Sequence, residues 1–319
     1  MIGITMGDAN GVGPEILLRA YRENRLSGEF VAVGDCAVLN LCNERLSLGA
    51  RIGKMSDIHD YVTGRLNVYD LRLLDPKDVS AGRVSRKVGQ AALAYVKEGT
   101  LLTLKGFFKA LVTLPVHKGA IRLSDKRFTG HTGFIASLCG TASHAMMLAS
   151  DELLVTHVST HVSLRRAVRQ VKKDRIYDVI VLTHEAVRKL RPRARIAVAG
   201  LNPHAGEEGA FGSEEIEEIA PAVRKARKKG MEVSGPEPPD TVFHQAVKGR
   251  YDAVVCMYHD QGHIPLKLLN FEEGVNVTLG LPMVRTSVDH GTAYDIAYRG
   301  IASTQSFVNA YALAVKLLK

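Results

Sequence analysis

Three histidines stand at or near the ends of strand-like apolar runs. They are His161 in THVSTHVSLR (156–165), His204 in NPHAGEEGAFG (202–212) and His259 in MYHDQGHIPLK (257–267). In α/β folds those strand ends line the ligand crevice. Three imidazoles with open coordination positions suit a catalytic divalent metal. Taken one at a time, each reads more readily as a surface or core histidine than as a ligand, and the chain has 12 of them. None of the three is expected to form an H-x-x-x-H pair on one helix; His157 and His161 are four apart but read as strand and loop. A second group suits a phosphate. GHTG (130–133) offers an imidazole, a hydroxyl and loop amides, and Lys267, Asn276 and Arg285 follow at separated positions. The competing reading of Lys267 and Arg285 is two solvated surface charges. The stretch around His259 also holds Asp260, His263 and Lys267, a crowd of titratable groups after the apolar run YDAVVC.

Those groups need a scaffold, and the pattern supplies one. Strand-like runs at 2–5, 30–35, 66–70, 110–116, 153–159, 195–200 and 251–258 alternate with helix-like runs. PEILLRAYREN opens with Pro14 and Glu15, both suited to a first turn. Further helices are expected over 85–99, 163–173, 213–230 and 303–319; the run over 213–230 goes from acids to bases, in agreement with its dipole. Such alternation predicts α/β layers with mostly parallel strands. No Gly/Ser linker divides the chain, so two lobes would be joined by more than one crossing, leaving a cleft. GDANGVGPE (7–15) has glycines at 11 and 13 but lacks the third glycine and the acidic partner of a dinucleotide fingerprint. An NAD site here must be built another way.

Composition bounds the class. The 319 residues are 46% hydrophobic and 24% charged, with a net charge of +9, within the range of globular domains. The basic runs RKLRPRAR and RKARKKG fall at helix ends, and no aromatic residue is interleaved with them. That pattern disfavours nucleic acid and leaves anionic small molecules as beneficiaries of the field. No run approaches a membrane span, and no secretory leader is expected. Four cysteines without metal or disulfide spacing predict reduced thiols in a cytoplasmic protein.

The segments MGDANGVGPEI, PVHKGAI, FTGHT, GLNPHAGEEG, MYHDQGHIPLKLL and GVNVTLGLPMVRTSVDHGTAYDIA occur in this order from end to end. Together they resemble the PdxA family of 4-hydroxythreonine-4-phosphate dehydrogenases. DHGTAYDIAYRGIAS (289–303) also resembles the adenosine-binding loop of isopropylmalate dehydrogenases. The resemblance implies a two-lobed α/β/α fold like that of isopropylmalate and isocitrate dehydrogenases. One lobe would span 1–128 and 265–319, on the nucleotide side; the other, 129–264, would carry the metal ligands and the dimer interface, with the active-site cleft between them. It implies that His161, His204 and His259 bind a divalent metal (Zn, Mg, Mn or Co), with ligands drawn from both subunits of a homodimer. His131, Thr132, Lys267, Asn276 and Arg285 would contact substrate and phosphate. His290, Gly291, Thr292, Asp295 and Ile296 would hold the adenosine part of NAD. Asp240 matches an acidic residue near the metal, and Asp260 would orient its neighbours.

HDQGHIPLKLL and VSTHVSLR resemble the PdxA2 branch more than the biosynthetic enzymes. That branch includes dehydrogenases of 4-phosphoerythronate and 4-phosphothreonate. The expected reaction is oxidation of the C3 hydroxyl of a 4-phosphorylated sugar acid, then loss of CO2 to give dihydroxyacetone phosphate. The vitamin B6 reaction on 4-hydroxythreonine 4-phosphate is the alternative. A terephthalate dihydrodiol dehydrogenase shares HDQGHIP but lacks the GHT and RTSVDHGT forms, which keeps phosphate on the expected substrate. Lys118, Asp240 and a metal-bound water are candidates for the general base. Two departures stand out: Ala9 replaces the family's proline in MGDPAG, and Gly133 replaces the glutamate of GHTE. A lost carboxylate beside the substrate contacts would admit a more anionic acid. A non-catalytic metal- or phosphate-binding protein and a basic nucleic-acid binder are the rivals from other classes.

Overall fold

The computed structural model describes residues 1–270 and 273–319. The chain first builds β1 (Ile2–Thr5), α1 (Gly13–Arg22), β2 (Phe30–Gly34), α2 (Cys36–Arg45), β3 (Ile52–Met55), β4 (Leu66–Asp70), α3 (Arg86–Leu104), β5 (Ala110–Thr113), α4 (Lys118–Arg122) and α5 (His131–Leu138). It continues through β6 (Ala145–Ala149), β7 (Leu154–His157), α6 (Leu164–Gln170), α7 (Lys173–Leu190), β8 (Ile196–Ala199), α8 (Ala220–Lys228), β9 (Val233–Glu237), α9 (Val242–Val247), β10 (Ala253–Cys256), α10 (His259–Leu269) and β11 (Val275–Leu279). It ends with β12 (Val284–Val288) and α11 (Gln305–Leu317).

Two compact units result. The first comprises Met1–Ala142 and Leu281–Leu318, the second Ser143–Gly280. These limits lie beyond the expected boundaries at 128/129 and 264/265. α5 packs on α3 of the first unit, and β11 is hydrogen-bonded along β6 of the second.

In the first unit the strands run in the order β3-β4-β2-β1-β5-β12, all parallel. Their runs are apolar on both faces, as sheets covered by helices require: Ile4, Val31, Val33, Leu111 and Val112 are fully buried. The neighbours β1, β5 and β12 end side by side, so 6–12, 114–118 and 289–296 leave the sheet at the same edge. In the second unit the order is β11-β6-β7-β10-β8-β9. Here β6 runs antiparallel to both β11 and β7, and the rest are parallel. The parallel neighbours β7, β10 and β8 likewise bring their carboxyl ends together.

Each strand-like run expected from the sequence forms a strand. The pattern did not single out β3, β6, β9, β11 or β12. The run over 163–173 splits into α6 and α7. The run over 213–230 is also two elements, a π-helical turn at Glu215–Ile219 and then α8. Pro221 has no N–H to continue a regular ladder, which places the break. Among the described residues, no helix is long and apolar enough to cross a membrane.

Candidate active site

The carboxyl ends of β7 and β10 carry four histidines. His157 is the last residue of β7, His161 follows it in the loop, and His259 and His263 lie on α10. The expectation that His259 had no helical partner is overturned: α10 begins at His259 itself, so i and i+4 share a face. Their rings stack with centroids 3.5 Å apart and 13° between planes. Pro265 inside α10 hid the helix from the pattern. Gly262 permits the packing, because a Cβ there would meet His157 Nε2 at 2.6 Å and Cys256 Sγ at 2.9 Å.

The four imidazoles divide by exposure. His157 and His263 are buried, His259 is half-buried and His161 is exposed. The His161 and His259 ring centroids are 5.5 Å apart. His259 Nδ1 pairs with Asp260 Oδ1 at 2.6 Å. A carboxylate on one ring nitrogen leaves Nε2 to face a ligand, the usual support of a metal-binding histidine. Burial, reinforced by the neighbouring His263, pushes the His157 pKa down to about 3, so its ring is neutral.

His204 follows β8 on a separate support. Residues His204–Glu208 form a left-handed turn with φ between 42° and 82°. The buried Glu215 carboxylate accepts Leu201 N at 2.7 Å, Asn202 N at 2.7 Å and Asn202 Nδ2 at 2.9 Å. The His204 ring lies 6.3 Å from that of Phe211. In the His161–His259 pair two imidazole donors thus stand together, one braced by a carboxylate, and their chemistry fits a divalent ion. Among the described residues, no three His, Cys, Asp or Glu side chains are gathered closely enough to hold one. Asp240 is exposed in the loop before α9, with no hydrogen bond or ion pair among the described residues.

In the first unit, His131 and Thr132 open α5 behind Gly130. Burial together with the charges of Arg285 and Lys118 holds the His131 imidazole well below its ordinary pKa. Its Nε2 is shielded from solvent and has no hydrogen-bond partner among the described residues. Such an orphan asks for a ligand oxygen. Arg285, on β12, is 2% exposed and donates to Thr113 Oγ1 at 2.6 Å. Burial alone lowers its pKa to about 9. The reading of Arg285 as a solvated surface charge is therefore wrong, because the sequence around it forms a buried strand. Lys118 is exposed, and its Nζ approaches Gly130. Lys267 and Asn276 belong to the second unit. Lys267 is half-buried on α10, eight residues after His259, and Asn276 donates to Met146 Sδ at 3.0 Å.

The 290–296 segment and the 7–13 turn, both singled out in the sequence, meet in the first unit. Val12 N donates to Thr292 O at 3.0 Å, and Tyr294 Oη donates to Asp8 Oδ2 at 3.0 Å. Burial raises the Asp8 pKa against the opposing hydrogen bonds. His290, Gly291 and Asp295 are exposed, Ile296 is half-buried and Thr292 is buried.

Comparison with known proteins shows the family. The profile of the family described as "Pyridoxal phosphate biosynthetic protein PdxA" matches residues 27–314. This chain belongs to the PdxA family. It is 43% identical to the D-threonate 4-phosphate dehydrogenase of Salmonella typhimurium over 99% of this chain and 98% of the relative. It is 44% identical to a 4-hydroxythreonine-4-phosphate dehydrogenase of Desulforapulum autotrophicum, over 98% and 94%. The crystal structure of the Klebsiella pneumoniae 4-hydroxythreonine-4-phosphate dehydrogenase superposes with a TM-score of 0.87 at 42% identity, over 100% of this chain and 99% of that one.

Several residues that organise the two units of this PdxA-family chain were not found by sequence reasoning. Asp8, Glu215 and Tyr294 are ordinary acids and an ordinary tyrosine until distant segments meet. His157 was noted only for its spacing. The one available signal was His259-x3-His263-x3-Lys267, a helical face interrupted only by Pro265.

Proposed function

We propose that the chain is a nicotinamide-dependent oxidoreductase that oxidises the C3 hydroxyl of a 4-phosphorylated four-carbon sugar acid. 4-Phospho-D-threonate and 4-phospho-D-erythronate are the leading substrates, with decarboxylation to dihydroxyacetone phosphate following. The observation that carries this reading is full-length similarity to the D-threonate 4-phosphate dehydrogenase of Salmonella typhimurium. The braced histidines at the ends of β7 and β10 supply the matching chemistry.

His161, His204 and His259 would hold a divalent metal (Zn, Mg, Mn or Co), which when bound acidifies a substrate hydroxyl and stabilises developing negative charge. In the PdxA resemblance the ligands come from both subunits of a homodimer, so a single chain need not gather all three. Asp260 fixes the His259 ring so that Nε2 faces outward. Arg285 and Lys118 present positive charge beside a neutral His131, whose shielded nitrogen suits a phosphate or hydroxyl oxygen. This remote grip orients C3 for hydride loss to the nicotinamide of NAD. The 290–296 loop would bind the adenosine part. The general base would be Asp240 or Lys118, the latter only in a deprotonated form distinct from the charged one that faces His131. The four free thiols favour a reducing, cytoplasmic setting.

The near-equal similarity to a 4-hydroxythreonine-4-phosphate dehydrogenase keeps that reaction as the second reading. The test is NADH formation at 340 nm with purified protein, NAD and a divalent metal. Both phospho-aldonates and 4-hydroxythreonine 4-phosphate are offered side by side. Preference for a phospho-aldonate supports the proposal. Preference for the amino acid assigns the vitamin B6 reaction, and silence on all three with NAD bound refutes both.

A further inference from the structure

Three sequence segments converge on one side chain in the first unit, and none of these contacts is among the proposed substrate contacts. Tyr294, from the DHGTAYDIA segment, donates its hydroxyl to Asp8 of MGDANG at 3.0 Å. Its ring stacks flat on His117 of PVHKGAI, centroids 4.8 Å apart and planes at 13°. Asp8 is wholly buried and is itself fixed, accepting Asn10 N at 2.9 Å while its own N–H donates to Pro115 O at 2.8 Å. Further ties run alongside: Val12 N to Thr292 O, and Tyr298 Oη to Ala9 O at 2.7 Å. Gly11 lies so close to Thr292 that a Cβ would stand 2.8 Å from its carbonyl oxygen.

The loop therefore has two sides. His290, Gly291 and Asp295 face solvent, while Thr292 and Tyr294 face the Asp8 turn. Ala293 and Tyr298 hold φ of 42° and 60°, conformations that persist only where the surroundings enforce them. We infer that Tyr294, held by Asp8 and His117, is a positioning residue that keeps the 290–296 loop in its dinucleotide-binding shape. The inference rests on the reading of this loop as the adenosine site. Recognition belongs to the outer side and shape to the inner. A loop that is competent for only a tenth of the time binds its ligand tenfold more weakly.

Two variants separate the claims. Tyr294→Phe keeps the stack on His117 and removes only the hydrogen bond. Gly291→Val adds bulk on the outer side, where a Cβ meets nothing within 4 Å among the described residues, so it tests the loop without disturbing its seat. NADH binding is measured by fluorescence, with kcat, both KM values and Tm alongside. The expected result for Tyr294→Phe is a roughly 5- to 10-fold rise in dinucleotide Kd and KM, with kcat and the KM for the acid within about twofold. If Gly291→Val weakens the dinucleotide while Tyr294→Phe does not, the latch is overturned and the loop reading stands. If Gly291→Val leaves binding unchanged, the loop reading fails and the latch with it. If Tyr294→Phe lowers Tm, kcat and both affinities together, its role is structural and the inference is wrong.

Discussion

Glu215 gives the sharpest stability test of the His204 support. Its carboxylate is 2% exposed and accepts three nitrogen donors from Leu201 and Asn202. Hydrogen bonds to a buried charge contribute about 1.5–3 kcal/mol each, or roughly 4–9 kcal/mol for the set. Against this stands the left-handed turn: His204, Ala205, Glu207 and Glu208 are all non-glycine residues at positive φ. Each costs about 1–2 kcal/mol, or roughly 4–8 kcal/mol together. The two quantities are of similar size, so the carboxylate's hold on Leu201 and Asn202, just before the turn, is what offsets its strain. In Glu215→Ala the turn relaxes only in part and recovers about half of its strain, which limits the net loss to roughly 2–4 kcal/mol, concentrated at 201–208. Amide hydrogen exchange reads it directly: Leu201 and Asn202 should exchange about 30- to 1000-fold faster, with β1–β5 unaffected. Glu215→Gln should fall between, since one oxygen can still accept both backbone amides while the other bond is lost. Unchanged protection at Leu201 and Asn202 in Glu215→Ala would refute the reasoning.

The pH dependence has a definite sign. His131, His144, His157 and His184 all have pKa values held below the ordinary imidazole value of 6.5, burial being the leading cause in each. The unfolded chain therefore binds more protons as pH falls, so stability is complete above about pH 6.5 and declines below it. Tm measured from pH 7.5 to 5 should fall, and less steeply in His131→Gln; a parallel curve for that variant would remove His131 from the account. At Gly133 a Cβ would meet, among the described residues, only Thr129 Oγ1, at 3.2 Å, so Gly133→Glu should fold and raise the KM for phospho-aldonates roughly tenfold through charge repulsion. Unchanged preference between phospho-aldonate and 4-hydroxythreonine 4-phosphate would dismiss the role of Gly133 in selectivity.

How much of this was legible in the sequence depended on the distance over which each feature is specified. The central strands and their order of chemistry-bearing ends follow from apolar runs with turn residues behind them, and β1, β5, β7, β8 and β10 were all visible that way. Shorter or mixed strands such as IGKM and VSGPE were not, because pairing with a neighbour, rather than their own pattern, makes them strands. The candidate ligands His161, His204 and His259 were legible as types at strand ends. Their supports were not: Glu215 lies 11 residues beyond His204, and Tyr294 is 286 residues from Asp8. Such contacts exist only after the sheet is assembled. α10 failed for a local reason: Pro265, deep inside the helix, reads as a helix stop because an interior proline removes one ladder bond and crowds the carbonyl four residues earlier, yet the helix runs through it.

The buried half of the histidine cluster permits a last deduction, about tautomers. Carbonyl oxygens only accept, and His157 Nδ1 faces Met146 O at 3.3 Å, so that nitrogen carries the proton. His157 is neutral, which leaves its Nε2 an acceptor. His263 Nδ1 lies 3.2 Å from that Nε2 and 2.9 Å from the carbonyl of His259, so it must donate. Both rings are then fixed without any external group, and His263 lies flat against His259. His259 is held twice over, by this stack and by Asp260 at Nδ1. His263→Leu retains an apolar cover for the ring but breaks the chain of donors from His259 to Met146. Supports of this kind change metal affinity about 10- to 100-fold. Calorimetric titration of the variant with Co2+ should show that weakening, with Asp260→Asn showing a loss of similar size. Wild-type affinity in His263→Leu would mean that Asp260 alone orients His259, and that the buried pair serves only to fill the space between α10 and β7.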